Sequence, residues 1–304
     1  ARLAARRKPC ARCILIWNSV LGKPKPDPRL NVWRDDLAGA HLRAEVSAPR
    51  FVEGADYTLI APVSAMRRSP ADGALQDSQL LYGESFRVYE MKDRWAWGQA
   101  NHDDYVGYVL AEDLQKTSPP TAPTHKVTAL RSFIYREPDM KTRPLMGVCL
   151  GAQLRVCGLE GRFAALSEET GGGFIHRAHM APMETFDSQP IEVARRFLGA
   201  AYFWGGRESI GLDCSALVQT ALMACGLACP RDSDMQEASL GTGVDEAEVG
   251  DIVFWKGHVG FLSAPNTLLH ANAFHMSVVE EDFDAACARI AKTEGPITAI
   301  KRLG

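Results

Sequence analysis

Tyr202-Phe203-Trp204-Gly205-Gly206-Arg207 followed by Leu212-Asp213-Cys214-Ser215-Ala216-Leu217-Val218 is the stretch that decides how this chain is read. A Gly-rich approach runs into a cysteine, and an apolar helical run follows it. Leu217, Val218, Ala221, Leu222 and Cys225 fall on one helical face, and Gly226 is a natural stop. Cys214 therefore falls in the first turn of a helix, where the positive end of the helix dipole stabilises a thiolate. Two histidines follow in strand-like segments, His258 in Gly257-His258-Val259-Gly260 and His270 in Leu268-Leu269-His270-Ala271-Asn272. A thiol opening a helix, with imidazoles able to take its proton, is the minimal equipment of a cysteine hydrolase. A hairpin centred near Ala264 would set His258 directly opposite His270, as in a base oriented by a third polar group. His102, His176, His179 and His275 lack such placement and read as ordinary surface or loop residues.

Around this core the chain divides into blocks. Pro190 starts a helix in which Val193, Ala194, Phe197, Leu198 and Ala201 keep helical period. Strands are expected over 251–255, 258–262, 268–271 and 276–280, so residues 188–304 read as an α+β unit. Upstream, residues 55–117 hold short β-type runs such as 57–60, 86–89, 95–97 and 105–109, separated by Gly, Pro and Asp, which suggests a small barrel. Residues 124–186 repeat it. Leu80 to Val88 aligns with Val148 to Val156 at an offset of 68 residues, and Gly107-Tyr108-Val109 with Gly173-Phe174-Ile175 at an offset of 66. A Pro-rich linker, 117–124, joins the two. Residues 29–54 are expected to be a helical or irregular lead-in. Residues 1–28, basic at Arg2, Arg6, Arg7, Lys8 and Arg12, are expected to be a disordered or non-native extension. If residues 1–22 act as a signal, the destination is the periplasm or the exterior.

At 304 residues the chain has room for several domains, and its net charge of -3 points to neither nucleic acid nor an anionic membrane as a partner. No apolar run approaches the roughly 18–20 residues that span a bilayer. The eight cysteines form no dense framework, which fits a reducing, cytoplasmic compartment. Cys10-x-x-Cys13 is at best half a zinc site and has no second pair nearby, so no metal or other cofactor is expected.

The motifs Tyr202 to Arg207, Leu212 to Ser215, Pro230-Arg231-Asp232-Ser233, Gly250-Asp251-Ile252-Val253-Phe254, Gly257 to Gly260 and His270-Ala271-Asn272 resemble, in order and spacing, the NlpC/P60 family of papain-like cysteine peptidases. The two upstream barrels resemble bacterial SH3 (SH3b) domains. The expected architecture is thus two small SH3-like β-barrels followed by an α+β papain-like domain. The whole is similar to the dipeptidyl-peptidase-like γ-D-glutamyl-L-diamino acid endopeptidases, which cut murein peptides bearing a free N-terminal L-Ala. The resemblance implies Cys214 as nucleophile, His258 as base and His270 as the orienting residue. It implies a thiolate–imidazolium pair, and Tyr202, Asp213, Ser215, Asp232, Ser233 and Tyr105 as substrate contacts, with Glu84 or Asp77 as an acidic contribution of the first barrel. Ala216 departs from the usual Gly, and residues 282–296 match no motif. Two other readings fit the same chain: a non-catalytic wall-binding scaffold, and a papain-like amidase or acyltransferase.

Overall fold

The computed structural model describes residues 26–117 and 122–304. The N-terminal extension up to residue 25, with Cys10 and Cys13, and the middle of the linker lie outside the described residues. No helix among the described residues is long and apolar enough to cross a membrane.

The first unit is a seven-stranded antiparallel sheet: β1 (Ala55–Leu59), β2 (Val63–Arg67), β3 (Gln76–Leu81), β4 (Ser85–Lys92), β5 (Trp95–Ala100), β6 (Val106–Leu110) and β7 (Leu114–Lys116). Their spatial order is β7-β1-β4-β5-β6-β2-β3. Alternation along these strands turns Leu59, Met66, Leu80, Phe86, Val88 and Val109 into one buried cluster. The second unit contains β8 (His125–Val127), β9 (Arg131–Tyr135), β10 (Pro144–Cys149), β11 (Gln153–Leu154), β12 (Val156–Glu160), β13 (Phe163–Leu166), β14 (Phe174–His176) and β15 (Met180–Pro182). They lie as β15-β8-β11 and β10-β9-β14-β13-β12. This is the order of the first unit with its fourth strand broken in two. The pairing Ser64↔Leu80 in the first unit recurs as Ser132↔Val148 in the second, at the same 68-residue offset.

The lead-in is not helical. Short strands Trp33–Arg34, Leu37–Gly39 and Phe51–Val52 form a small sheet, with only a single 3-10 turn at Ala40–Leu42. Its apolar residues Val32 and Leu37 pack on Trp97 of the first barrel, so they gain more by docking than by forming a separate helix.

The C-terminal unit holds α1 (Pro190–Arg195), β16 (Ala201–Tyr202), β17 (Arg207–Glu208), β18 (Gly211–Leu212), α2 (Cys214–Ala224), α3 (Ser233–Ser239), β19 (Thr242–Gly243), β20 (Ile252–Trp255), β21 (His258–Ala264), β22 (Thr267–Asn272), β23 (Ser277–Asp282), α4 (Phe283–Ile290) and β24 (Ala299–Arg302). The nine strands lie in the order β17-β18-β16-β23-β22-β21-β20-β24-β19. α1 stops short of Ala201, which instead starts β16; Gly199 in the left-handed region, φ 80°, ends the helical path. α2 packs its Leu217, Val218, Ala221 and Leu222 against Phe261, Leu269 and Ala271 of the sheet.

Two glycines let the units meet. Gly83, φ 78°, lies where the barrels touch, and a Cβ there would come within 1.9 Å of the Gln153 carbonyl. Gly205, φ 71°, lets the Gly-rich approach pass β3, where a Cβ would sit 2.7 Å from the Gln76 carbonyl. A buried ionic junction reinforces this second contact: Arg207 donates to both oxygens of Glu84 at 3.0 and 3.1 Å and to the Gln79 carbonyl at 2.6 Å. His102, expected at the surface, is buried in the same junction, 3.1 Å from Asp103.

Candidate active site

Asp213 builds the start of α2. Its Oδ1 accepts from the Ala216 N–H at 2.9 Å, and its Oδ2 accepts from the Gly205 N–H at 2.9 Å. Arg231, fully buried, donates to both oxygens at 2.9 and 2.7 Å and to Ser215 Oγ at 2.8 Å. The carboxylate thus ties the glycine loop, the helix start and the segment before α3 into one rigid unit, with Cys214 at its centre. The acceptors of Asp213 are engaged inside the protein, and Ser215 Oγ is held between Asp213 and Arg231. Ala216 fits without strain, because only its backbone N–H is used and its side chain packs in the core.

Cys214 lies at the bottom of a cleft of about 640 Å³, which is also lined by Tyr202, Asp232, Ser233, Tyr105 and Asp77. Burial, then the Asp213 charge, pushes the thiol up to about 12; the backbone N–H groups of Val259 and Ser215 act in the opposite sense. Cys214 and Val259 share one buried cluster, which sets the start of α2 against β21 next to His258.

His258 Nε2 lies 2.8 Å from His270 Nδ1. The two do not face each other directly. β21 pairs with β22 as Phe261↔Leu269 and Leu262↔Leu268, then shifts at a bulge so that Ala264 meets Thr267. The hairpin therefore turns through Pro265 and Asn266, the latter at φ 52°, one residue later than the expected centre. Gly260 faces His270 instead: a Cβ there would lie 2.9 Å from the His270 Cβ. The missing side chain leaves room for His270 to reach His258 diagonally.

His258 is lowered to about 3 by burial and by His270, and His270 to about 4 by burial. Burial thus acts against the charged form of the thiol and of the imidazole alike. Nε2 of His258 is held by His270, which leaves Nδ1 without a hydrogen-bond partner among the described residues.

The far end of the cleft is built by three units. Asp232 precedes α3, and its Oδ2 accepts from the Tyr105 hydroxyl of the first barrel at 3.1 Å and from Arg29 of the lead-in at 2.8 Å. Among the described residues, no hydrogen bond is made to Asp232 Oδ1. Burial raises the Asp232 carboxyl, while Arg231 and Arg29 pull it down. Of the two acidic candidates in the first barrel, Asp77 lines the cleft, paired with Arg68 at 2.7 Å, whereas Glu84 is buried against Arg207. Tyr202 lines the cleft from β16, its phenol raised by burial and by the neighbouring Cys214 and Asp213.

Three residues of this site were not legible from spacing. Arg29 reaches Asp232 across 203 residues of sequence. Arg231 stood in a recognised motif, but its pairing with Asp213 needed the fold. Glu281 Oε1 lies 2.7 Å from His270 Nε2; strand alternation puts it on the His270 face only once the register His270↔Val279 is known. Among the described residues no cluster of His, Cys, Asp and Glu is arranged to hold a metal ion.

Residues 199–288 match the NlpC/P60 family, and residues 66–114 match the bacterial dipeptidyl-peptidase SH3 domain. The chain is 21% identical over 235 residues to dipeptidyl-peptidase 6 of Lysinibacillus sphaericus, covering 70% of this chain and 86% of that protein. It is 30% identical over 121 residues to a probable endopeptidase NlpC homolog of Haemophilus influenzae, covering 38% of this chain and 66% of that protein. In fold it resembles a crystal structure of an NlpC/P60 family protein from Bacillus cereus, with a TM-score of 0.69 and 17% identity over 82% of this chain and 99% of that one.

Proposed function

From a chain that joins an NlpC/P60 peptidase domain to a dipeptidyl-peptidase-type SH3 domain, we infer a cysteine peptidase that cuts the bond between γ-D-glutamate and a diamino acid, meso-diaminopimelate or lysine, in murein peptides bearing a free N-terminal L-Ala. The observation that carries this reading is the convergence in one cleft of Cys214, at the start of α2 and against the strand of a held His258, with the Asp232–Tyr105 pair.

The substrate amine meets Asp232 Oδ1, and the charge-assisted bond fixes the L-Ala end. The Tyr105 hydroxyl and Arg29 hold Oδ2, so the carboxylate stays aimed. Amine reading thus falls to Asp232 rather than to Asp213, whose oxygens bind Arg231 and the backbone. Tyr202, Ser233 and Asp77 line the path between amine and sulfur. A blocked amine would leave Asp232 unpaired, which disfavours longer chains.

His258 Nδ1 takes the Cys214 proton as the sulfur attacks the γ-carbonyl of D-Glu. The Cys214 backbone N–H at the helix start stabilises the oxyanion. Protonated His258 then delivers the proton to the departing diamino acid nitrogen, and water, activated by the same imidazole, releases the L-Ala-γ-D-Glu acyl group from the sulfur.

The second β unit is read as a further SH3-like domain, on the strength of its matching strand order and repeated register. The setting proposed is the turnover or recycling of murein peptides in a reducing, cytoplasmic compartment, where Cys214 remains a thiol. Mass spectrometry of products from L-Ala-γ-D-Glu-meso-diaminopimelate tests the activity. Free diaminopimelate is expected with the wild type, none with Cys214→Ala, and little from the N-acetylated peptide. Cleavage by Cys214→Ala, or equal rates on the acetylated peptide, would remove the nucleophile or the amine reading respectively.

A further inference from the structure

The hydrogen-bonded chain that begins at His258 does not stop at His270. His270 is fully buried, and its Nε2 lies 2.7 Å from Glu281 Oε1 on β23. Glu281 is clamped in turn by Arg289 of α4: one guanidinium nitrogen donates to Oε2 at 2.7 Å, and the other to Oε1 at 2.5 Å. Phe274 covers the guanidinium from outside, its ring centroid 4.4 Å from Cζ. α4 supports this clamp. Capped by Asp282 and anchored by Ala286 and Ile290, the helix holds Arg289 against Glu281.

The tautomer of His270 decides whether His258 can act as a base. If His270 carries its proton on Nε2, its Nδ1 accepts from His258 Nε2–H, and His258 Nδ1 is bare and ready for the thiol proton. If the proton sits on His270 Nδ1, it is donated to His258 Nε2, and His258 carries N–H where a base is needed. Both neighbours of His270 Nε2 have a preference. Asn272 Nδ2 lies 2.9 Å away and, with its Oδ1 taken by the His275 N–H, can only donate, which favours the unproductive tautomer. Glu281 can only accept, which favours the productive one.

We propose that Glu281, clamped by Arg289, is a positioning residue of the reaction: it holds the proton on His270 Nε2 against Asn272 and so leaves His258 Nδ1 free to deprotonate Cys214. An ionised acceptor outcompetes a neutral amide donor for this nitrogen. Glu281 remains a carboxylate throughout the working range, because its bonds to Arg289 and His270 overcome burial and hold it down at about 2. The other charged or titratable groups facing His270 are His258 from β21, His275 from the loop after β22, and Arg289. Glu281 also offsets the positive charge that appears on His258 when it takes the proton.

The role in turnover rests on the peptidase reading above, but two measurements need no substrate. Nitrogen-15 spectra of the histidines in the wild-type chain report the His270 tautomer directly, with the proton expected on Nε2. Iodoacetamide labelling of Cys214 at neutral pH, followed on its own tryptic peptide, reports how readily the sulfur gives up its proton. Glu281→Gln is expected to move His270 toward the Nδ1–H form, to slow Cys214 labelling, and to lower kcat by about 10- to 100-fold with KM little changed. Glu281→Asp should recover part of the labelling rate. A wild-type His270 protonated on Nδ1 would overturn the proposal even if the variant does not fold; so would a folded Glu281→Gln chain with wild-type labelling and kcat. Failure of the chain to cut γ-D-glutamyl peptides would sink the substrate reading alone, leaving the tautomer and labelling results to stand or fall separately.

Discussion

His258 Nε2 and His270 Nδ1 are 2.8 Å apart although the two residues are diagonal, not opposed, in the β21–β22 hairpin. Gly260 occupies the position facing His270, and its bare Cα lets the second ring lean across to the first. The His258 ring is thereby held in one orientation, and among the described residues no carboxylate hydrogen-bonds to it and Nδ1 has no partner.

Replacing the base should cost far more than replacing its support. His258→Ala is expected to reduce kcat by about 10²–10⁴-fold, the usual range for a lost acid–base group. His270→Ala should reduce it by about 10- to 100-fold with KM nearly unchanged, since only orientation and tautomer are lost. Steady-state kinetics on the diaminopimelate peptide separate the two; a larger loss in the His270 variant would reverse their roles.

Arg231 and Asp213 form a buried pair that joins the glycine loop, α2 and the approach to α3. Arg231→Met leaves the Asp213 charge buried without its partner and should destabilise the fold by about 3–5 kcal/mol. Urea unfolding followed by tryptophan fluorescence measures this. Asp213→Asn combined with Arg231→Met should cost clearly less than the sum of the single changes, because the two act on one interaction; additive losses would mean that the pair is not coupled.

Amine recognition should depend on residues outside the C-terminal unit. Burial raises the Asp232 carboxyl, and Arg29 helps to hold it ionised. In Arg29→Met the carboxylate protonates at higher pH, so the rise in KM on acidification should begin at a higher pH than in the wild type. Tyr105→Phe removes a hydrogen bond to a charged acceptor and should lower kcat/KM by roughly tenfold or more. KM profiles that coincide for wild type and Arg29→Met would exclude the lead-in from the site.

Acid should loosen the fold earlier than its surface charges alone would dictate. His258 and His270 have folded pKa values of about 3 and about 4, below the value of about 6.5 for an unfolded histidine. Between those limits the unfolded chain binds more protons, so stability rises with pH and is lost progressively as pH falls from about 6.5 to about 3. Glu281, held down at about 2, adds stability above the ordinary carboxylate range that is lost only in stronger acid. Urea midpoints across this window test the sign. A flat profile would contradict it, and a His258→Gln/His270→Gln chain should show a shallower slope.

Much of the C-terminal unit was legible because its signals are local. A cysteine after Asp at the start of an apolar helix, a Gly stop, and strands bounded by turn residues each depend on a few neighbours. The likeness of the two β units was visible as offsets of 68 and 66 residues, and the 68-residue offset reappears in the strand pairing. The lead-in reads as helical or irregular in the sequence because its apolar residues are too few to show a period, and their partner, Trp97, is remote along the chain. The hairpin register escapes the sequence because a bulge adds a residue that no pattern announces.

The linear chain alone determined which chemistry is available: one thiol at a helix start, two imidazoles on neighbouring strands, and acids and a tyrosine to surround them. Periodicity and turn residues carry that much, since they act over a few bonds. Only the tertiary structure decided which polar groups face the cleft and which are consumed within the protein. Glu84 turns to Arg207 and Glu281 to His270 and Arg289, Asp213 is tied to Arg231 at the cleft wall, and Asp232, Asp234 and Asp77 stand at the cleft with Arg29 and Arg68 beside them. The reason is that buried charges must find partners, and those partners come from whichever distant segments the packing of apolar faces brings within about 3 Å.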